Sequence, residues 1–408
     1  MANAELLEQG DLVVRCFKRL KSKCDLFVAK PRDPTRSIQY HTVDQLNLKQ
    51  DLLLQLHSIL LPQLRQQILT LFQALEVSKL RQEPGLQLKT ILETQRQLDP
   101  TLDQIFSASY IVCPEPIDPT SRTNDQHLKE LKSYRLDGLY HLLVEFLPKA
   151  ANLFFNCYQL IRELKLTNER LHGWDHVAFS KKDLVQATRS ALQAIKSIIN
   201  WLKGSEVEIV LDEFHNNGAG SIRCNLTFHV QQLQRLIDST NRFADTGEED
   251  FDNWWGERPL SDGPAEVAEW VIPIFKLARL FVNKLSSRRI NRTRLPLYTD
   301  MSSYQLNIIG QLPKNVEKQL AEIMVVLQRH GIPELTIAKK LREEFKKLEK
   351  LFEAPSLLIV LYLLPAISVS DCLHSQNDIK TWFSIWNTQF SLGINNILRA
   401  ISALDYDE

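Results

Sequence analysis

Apolar residues recur along most of this chain at three- and four-residue intervals, the spacing that lines one face of an α-helix. Leu6, Val13, Phe17, Leu20, Cys24 and Phe27 fall on one stripe of a first helix, which Pro31 and Pro34 should end. Thr42-Val43-Asp44-Gln45 reads as a capping box, where the Thr hydroxyl and the Gln side chain satisfy N–H groups orphaned at a helix start. It opens a run through Leu46, Leu53, Leu56 and Leu60 that Pro62 interrupts and Leu64, Ile68, Leu71 and Leu75 continue. A third helix is predicted over 86–111, followed by a stiff connector containing Pro114, Pro116 and Pro119.

Helical patterning resumes over 125–166, with an interruption predicted at Pro148. It starts again at Ser180, where Leu184, Ala187, Ala191, Ile195 and Ile198 share a face that ends near Gly204. Residues 206–214 admit two readings, because Val207, Ile209 and Leu211 alternate as in a strand. Residues 215–221, with Gly218 and Gly220, are the most glycine-rich stretch and the best candidate hinge. Further helices are predicted over 226–243, 264–287, 303–330, 333–352, 355–370 and 375–404, with Glu343 and Lys347 as an i,i+4 pair.

Pro62, Pro148, Pro273, Pro313 and Pro365 each follow an apolar residue in these runs. Either they kink helices or they occupy the first helical position, where a missing N–H costs nothing; the second is the cheaper reading. Their irregular spacing excludes a solenoid of fixed repeat. The expected fold class is all-α: two packed bundles of long helices, several with a proline kink or a proline at N1. The bundles are placed at 1–204 and 222–408, with 205–221 as the candidate hinge.

Composition narrows the function rather than naming it. The 408 residues carry 49 Lys+Arg and 49 Asp+Glu, so no net positive field draws nucleic acid. With 44% hydrophobic residues the chain has material for a sizeable core, and only 13 glycines argue against sandwiches and doubly wound sheets. The apolar run at 357–366 is far shorter than the roughly 20 residues a bilayer span needs. The six cysteines form no CxxC pair, and Met1–Gly10 lacks an apolar signal core. The sequons at Asn225 and Asn291 then read as chance, and the expected setting is reducing: cytoplasmic, with the nucleus as the alternative.

Candidate chemistry is sparse. His172, Asp175 and His176 surround Gly173 and Trp174 but lack the glutamate of a zinc-protease helix. The Asn216–Ser221 turn lacks the Gly-Lys-Ser ending of a phosphate loop, and no Gly-x-Ser-x-Gly elbow occurs. No catalytic residue, cofactor ligand or metal ligand is assigned. Two charged stretches stand out as partner-binding candidates. Asp245, Glu248, Glu249, Asp250 and Asp252 form an acidic run with Trp254 and Trp255 close behind. Lys284, Arg288, Arg289, Arg292 and Arg294 form a basic run at the end of the 264–287 helix, where cations also offset the helix dipole. Tyr362, Trp382, Phe383, Trp386 and Phe390 form an aromatic cluster expected to pack in the core.

The stretch 231–287, with its Arg235-Leu236-Ile237-Asp238-Ser239 helix end, acidic Trp loop and Trp270-Val271-Ile272-Pro273 helix, joins Leu295-Pro296-Leu297-Tyr298-Thr299-Asp300 in a familiar outline. It resembles a family of helical proteins expanded in rust fungi, a likeness that implies no activity. More remotely it is similar to the cyclin-D1-binding helical-bundle proteins, which implies partner binding through helices in the cytoplasm or nucleus. The expectation is therefore a non-catalytic protein that binds an unidentified protein partner and neither nucleic acid nor a membrane interior, with its oligomeric state left open. The alternatives are a helical enzyme with a polar pocket that a linear reading misses, and a peripheral membrane or phosphate binder working through the basic run.

Overall fold

A computed structural model describes residues 2–29, 42–113, 124–168, 181–214, 222–246, 260, 262–286, 295–329, 333–365 and 373–403. Every regular element among them is helical, as the spacing predicts. The chain divides into two units, Met1–Ser121 with His127–Gly204, and Arg122–Gln126 with Ser205–Glu408.

The first unit holds α1 (Ala2–Ala29), α2 (Val43–Gln55), α3 (Leu61–Ala74), α4 (Val77–Gln82), α5 (Pro84–Val112), α6 (Ser133–Glu163) and α7 (Lys181–Lys203). The stripe expected on α1 is the buried one: Val13, Phe17, Leu20, Cys24 and Phe27 are all in the core. Phe17 meets Phe154 of α6, and Phe27 packs 4.5 Å from Phe106 of α5. Each such ring, fully buried, contributes about 1.5–3 kcal/mol. Charges then fix the register of α1 on α5: Lys23 reaches Asp99 at 2.7 Å and Asp103 at 2.8 Å. Asp11 holds the turn after α6 against α1, accepting from the Thr167 hydroxyl and, at 2.8 and 2.9 Å, from the backbone and side-chain N–H of Asn168. At the other end of α6, Arg135 donates to the carbonyls of Leu202 and Gly204, both at 3.1 Å, and so closes the C-terminus of α7 with a cation.

The second unit holds α8 (Glu206–Asp212), α9 (Ile222–Thr246), α10 (Asp262–Leu285), α11 (Ser303–Leu327), α12 (Glu334–Leu358) and α13 (Leu373–Ala403). Its core centres on Phe281 of α10, whose ring lies 5.3 Å from Phe352 and 4.5 Å from Trp386. Trp386 stacks on Phe390 at 4.9 Å, so most of the aromatic cluster packs inward as expected, while Tyr362 and Trp382 stay half-buried.

Several expectations need correction. Residues 206–212 are helix, neither strand nor hinge: Ser205 and Glu208 form a reciprocal capping box, and Val207, Ile209, Val210 and Leu211 are buried. The remaining hinge candidate, 215–221, lies outside the described residues. Pro148, Pro273 and Pro313 lie inside helices rather than at N1. Pro148 is flanked by buried Phe146, Leu147, Ala150 and Ala151, so packing on both sides of the proline outweighs its missing hydrogen bond. Pro62 does stand in the first turn of α3, as expected of a proline at a helix start, and π-helical turns, Leu56–Leu60 and Ile359–Leu363, end two residues before Pro62 and Pro365. Lys347 pairs with Glu344, at 2.7 Å, rather than with Glu343.

Candidate functional site

Of the acidic run, Asp245 lies in the last turn of α9, and Glu248, Glu249, Asp250, Asp252, Trp254 and Trp255 lie outside the described residues. Of the basic run, Lys284 lies in the last turn of α10; Arg288, Arg289, Arg292 and Arg294 lie outside. So do His172, Asp175, His176 and the Asn216–Ser221 turn. The structure does join two groups that the sequence kept apart. The Lys284 ammonium lies 5.5 Å from the centroid of Trp382, linking the basic run to the aromatic cluster by a cation–π contact.

That contact belongs to a seam between α10 and α13. Trp386 Nε1 donates to the Leu277 carbonyl at 2.9 Å. Farther along, Ile274 packs so close to Gly393 that a Cβ there would come within 2.6 Å of its Cδ1. Residue numbers fall along α10 as they rise along α13, so the two helices run antiparallel. The core face of α10 carries Val271, Ile274, Ala278, Phe281 and Leu285. At 3.6 residues per turn, Trp270, Pro273 and Leu280 then stand on the flank between α13 and solvent. Trp270 and Leu280 are each 50% exposed. On α13 the core takes Phe383, Trp386, Phe390, Ile394 and Ile397, and the flank toward α10 carries Ile385 at 57% and Leu392 at 51% exposure. Two helices thus present one outward apolar ledge.

The polar residues of α10 are segregated. Asp262, Glu266 and Glu269 are its acids and Lys276, Arg279 and Lys284 its bases, with no mixing. The helix dipole favours this order only within the first and last turns. Glu269 and Lys276, both exposed near the middle, are beyond its reach.

Comparisons with known proteins add domain boundaries. Residues 49–203 match one domain of unknown function (DUF8723) and residues 205–399 match another (DUF8721). No curated protein and no solved structure matches the chain.

Other features offer less chemistry. In the first unit an open cleft of about 350 Å³ is lined by Thr70, Gln73, Lys79, Gln82, Glu83 and Gln87 among others, with Lys79 and Glu83 as its ionisable groups. No group of three or more His, Cys, Asp or Glu gathers as metal ligands among the described residues. No described helix is long and apolar enough to cross a membrane. Cys24 and Cys157 are free but deeply buried, and burial pushes the Cys24 thiol up to about 12 and that of Cys157 higher still. Such thiols are poor nucleophiles. The α12 end carries a second exposed apolar group, Leu357, Val360 and Leu361.

The ledge was only half legible. Trp270 and Leu280 were visible as parts of an apolar helix. Ile385 and Leu392 were hidden, because their exposure depends on which side of α13 meets α10. The order of acids before bases along α10 is the signal for this face that the sequence carries.

Proposed function

We propose that this chain is a non-catalytic, intracellular protein that binds other proteins through its helices, with the α10–α13 ledge as the contact face. The observation that carries the reading is the ledge itself. Trp270, Leu280, Ile385 and Leu392 remain about half exposed beside a core that has taken up Phe281, Phe352, Trp386 and Phe390. Contiguous exposed apolar side chains on a folded surface mark contact sites, and an exposed Trp is a common anchor. The acidic run before α10 and the basic run after it, from Asp245 to Asp252 and from Lys284 to Arg294, bracket this helix in sequence and would steer an oppositely charged partner. Free, buried Cys24 and Cys157 fit a reducing cytoplasm or nucleus.

The test compares tagged wild type with a Leu280→Asp, Leu392→Asp double variant in pull-downs from native lysate, read by mass spectrometry. Both residues are exposed, so the variant should fold. A stoichiometric partner lost in the variant is the expected result; an unchanged set of captured proteins would remove the ledge from the reading.

A second reading has one observation in its favour: exposed Leu280 lies one turn before Lys284, where the basic run starts. An apolar residue beside clustered bases also suits an anionic membrane surface. Sedimentation with vesicles containing phosphatidylserine, with Leu280→Asp as control, separates the two.

A further inference from the structure

We infer that the ledge is self-complementary and that its occupant is a second copy of this chain, docked antiparallel along α10. The inference rests on the ledge being a protein-binding face and names the partner.

A two-fold interface uses one patch twice, so every residue must suit its own symmetry mate. Few single helices satisfy that condition by charge. α10 does, because its acids all precede Trp270 and its bases all follow Phe275. Laid against another α10 in the opposite direction, its acidic half faces the basic half of the second copy along the whole contact. A parallel arrangement would set acid against acid and base against base.

The spacing supports the same geometry. Glu269, Pro273, Lys276 and Leu280 are all exposed and recur at intervals of four, three and four residues, so they line one outward face of α10 that a second helix can lie along. With the two-fold axis beside Pro273, Glu269 of each copy reaches Lys276 of the other. Trp270 covers the stem of that lysine, and Ile385 and Leu392 flank the contact from α13. Glu269 and Lys276 each lack an ion-pair partner among the described residues of their own chain, so no existing pair has to break. The macrodipole does not explain two opposite charges held apart at mid-helix; pairing across a two-fold axis does. A helix of this length, about 36 Å, gives the seam room for several layers of contact.

The experiment uses the full chain in sedimentation equilibrium across a concentration series. Wild type should reach twice the 47.2 kDa chain mass. Glu269→Lys and Lys276→Glu should each raise the dimer dissociation constant about tenfold or more, because each places like charges in both symmetric contacts. An equimolar mixture of these two variants should dimerise again, since every contact then joins opposite charges. The double variant Glu269→Lys, Lys276→Glu should dimerise alone for the same reason. Misfolding cannot imitate that rescue, and the urea midpoints of the single variants should match wild type.

A wild type that stays monomeric at every soluble concentration overturns the inference. So does a dimer indifferent to both single substitutions, or a monomer whose Leu280 is needed only for phosphatidylserine vesicles. A monomer that still loses a captured protein in the Leu280→Asp, Leu392→Asp variant overturns self-docking while leaving the ledge as a binding face. A dimer or a captured set unaffected by that variant removes the ledge altogether.

Discussion

The indole of Trp201 occupies the place where a side chain on Gly138 would begin. A Cβ built on Gly138 would lie 1.9 Å from the ring of Trp201, which also donates through Nε1 to the Arg135 carbonyl at 2.9 Å. A glycine inside α6 forgoes about 1 kcal/mol of helix propensity relative to alanine, and close approach of α7 is the return. Gly138→Ala should therefore destabilise the first unit despite the better propensity. Overpacking of this kind costs about 1–3 kcal/mol. Urea unfolding should show the loss, and near-ultraviolet circular dichroism should report a displaced indole. An alanine variant as stable as wild type would show that α7 yields easily.

Asp11 should make the first unit sensitive to acid. Burial works to raise its pKa, but hydrogen bonds from Thr167 and Asn168, with Arg15 nearby, hold it below the ordinary carboxylate value. A depressed folded-state pKa means that the unfolded chain binds the proton first. The contribution is fully present above the usual carboxylate range and is lost as pH falls through the lower, folded value. Hydrogen exchange of residues 164–168 should accelerate over that window. Asp11→Asn should show fast exchange at neutral pH and little further change in acid.

His229 on α9 should act in the same direction at milder pH. Burial lowers its pKa below 6.5, only partly opposed by the Glu317 carboxylate, which also accepts from Asn225 at 2.6 Å. The folded state prefers the neutral ring and the unfolded state protonates it first. Stability of the second unit should thus decline as pH drops below about 6.5, the unperturbed value. His229→Gln should flatten that decline in thermal melts between neutral and mildly acid pH; an unchanged slope would place the proton uptake elsewhere.

Asp125 should matter more than its place in a connector suggests. Its carboxylate accepts from the Ser303 backbone N–H at 2.8 Å and from the Ser303 hydroxyl at 2.5 Å, at the first residue of α11. A hydrogen bond to a charged group is worth about 1.5–3 kcal/mol, so Asp125→Ala should lower stability by at least that range. Ser303→Ala, which keeps the backbone donor, should cost less. Urea midpoints of the two variants rank them directly.

Local patterns were readable in the sequence and long-range ones were not. The α1 stripe and the Thr42 box follow from spacing alone. Ser205–Glu208 and Ser302–Gln305 are capping boxes of the same form, equally visible, although alternating Val207, Ile209 and Leu211 after the first also fit a strand. The reading of proline as a helix start holds at Pro62, in the first turn of α3, and fails at three other positions. Pro148, Pro273 and Pro313 stay inside helices because buried neighbours on both sides hold the helix together, and burial is a tertiary property. The pairing of Lys347 with Glu344 instead of Glu343 has a similar origin, since Glu344 already accepts from Gln319 of α11 at 2.5 Å. On the ledge, spacing along α10 was legible, while the exposure of Ile385 and Leu392 depended on which helix lies beside them.

The chain enters the second unit twice, once for Arg122–Gln126 and again at Ser205. The matched domain that starts at 205 therefore leaves out Asp125, the residue that anchors the start of α11. Residues 205–408 by themselves are thus not the whole of the second unit. A gene fusion or duplication that moved residues 205–408 elsewhere would remove the two hydrogen bonds that the Asp125 carboxylate accepts from Ser303. Any descendant of such an event should carry a substitute carboxylate at that spot, donated by whatever sequence it was joined to.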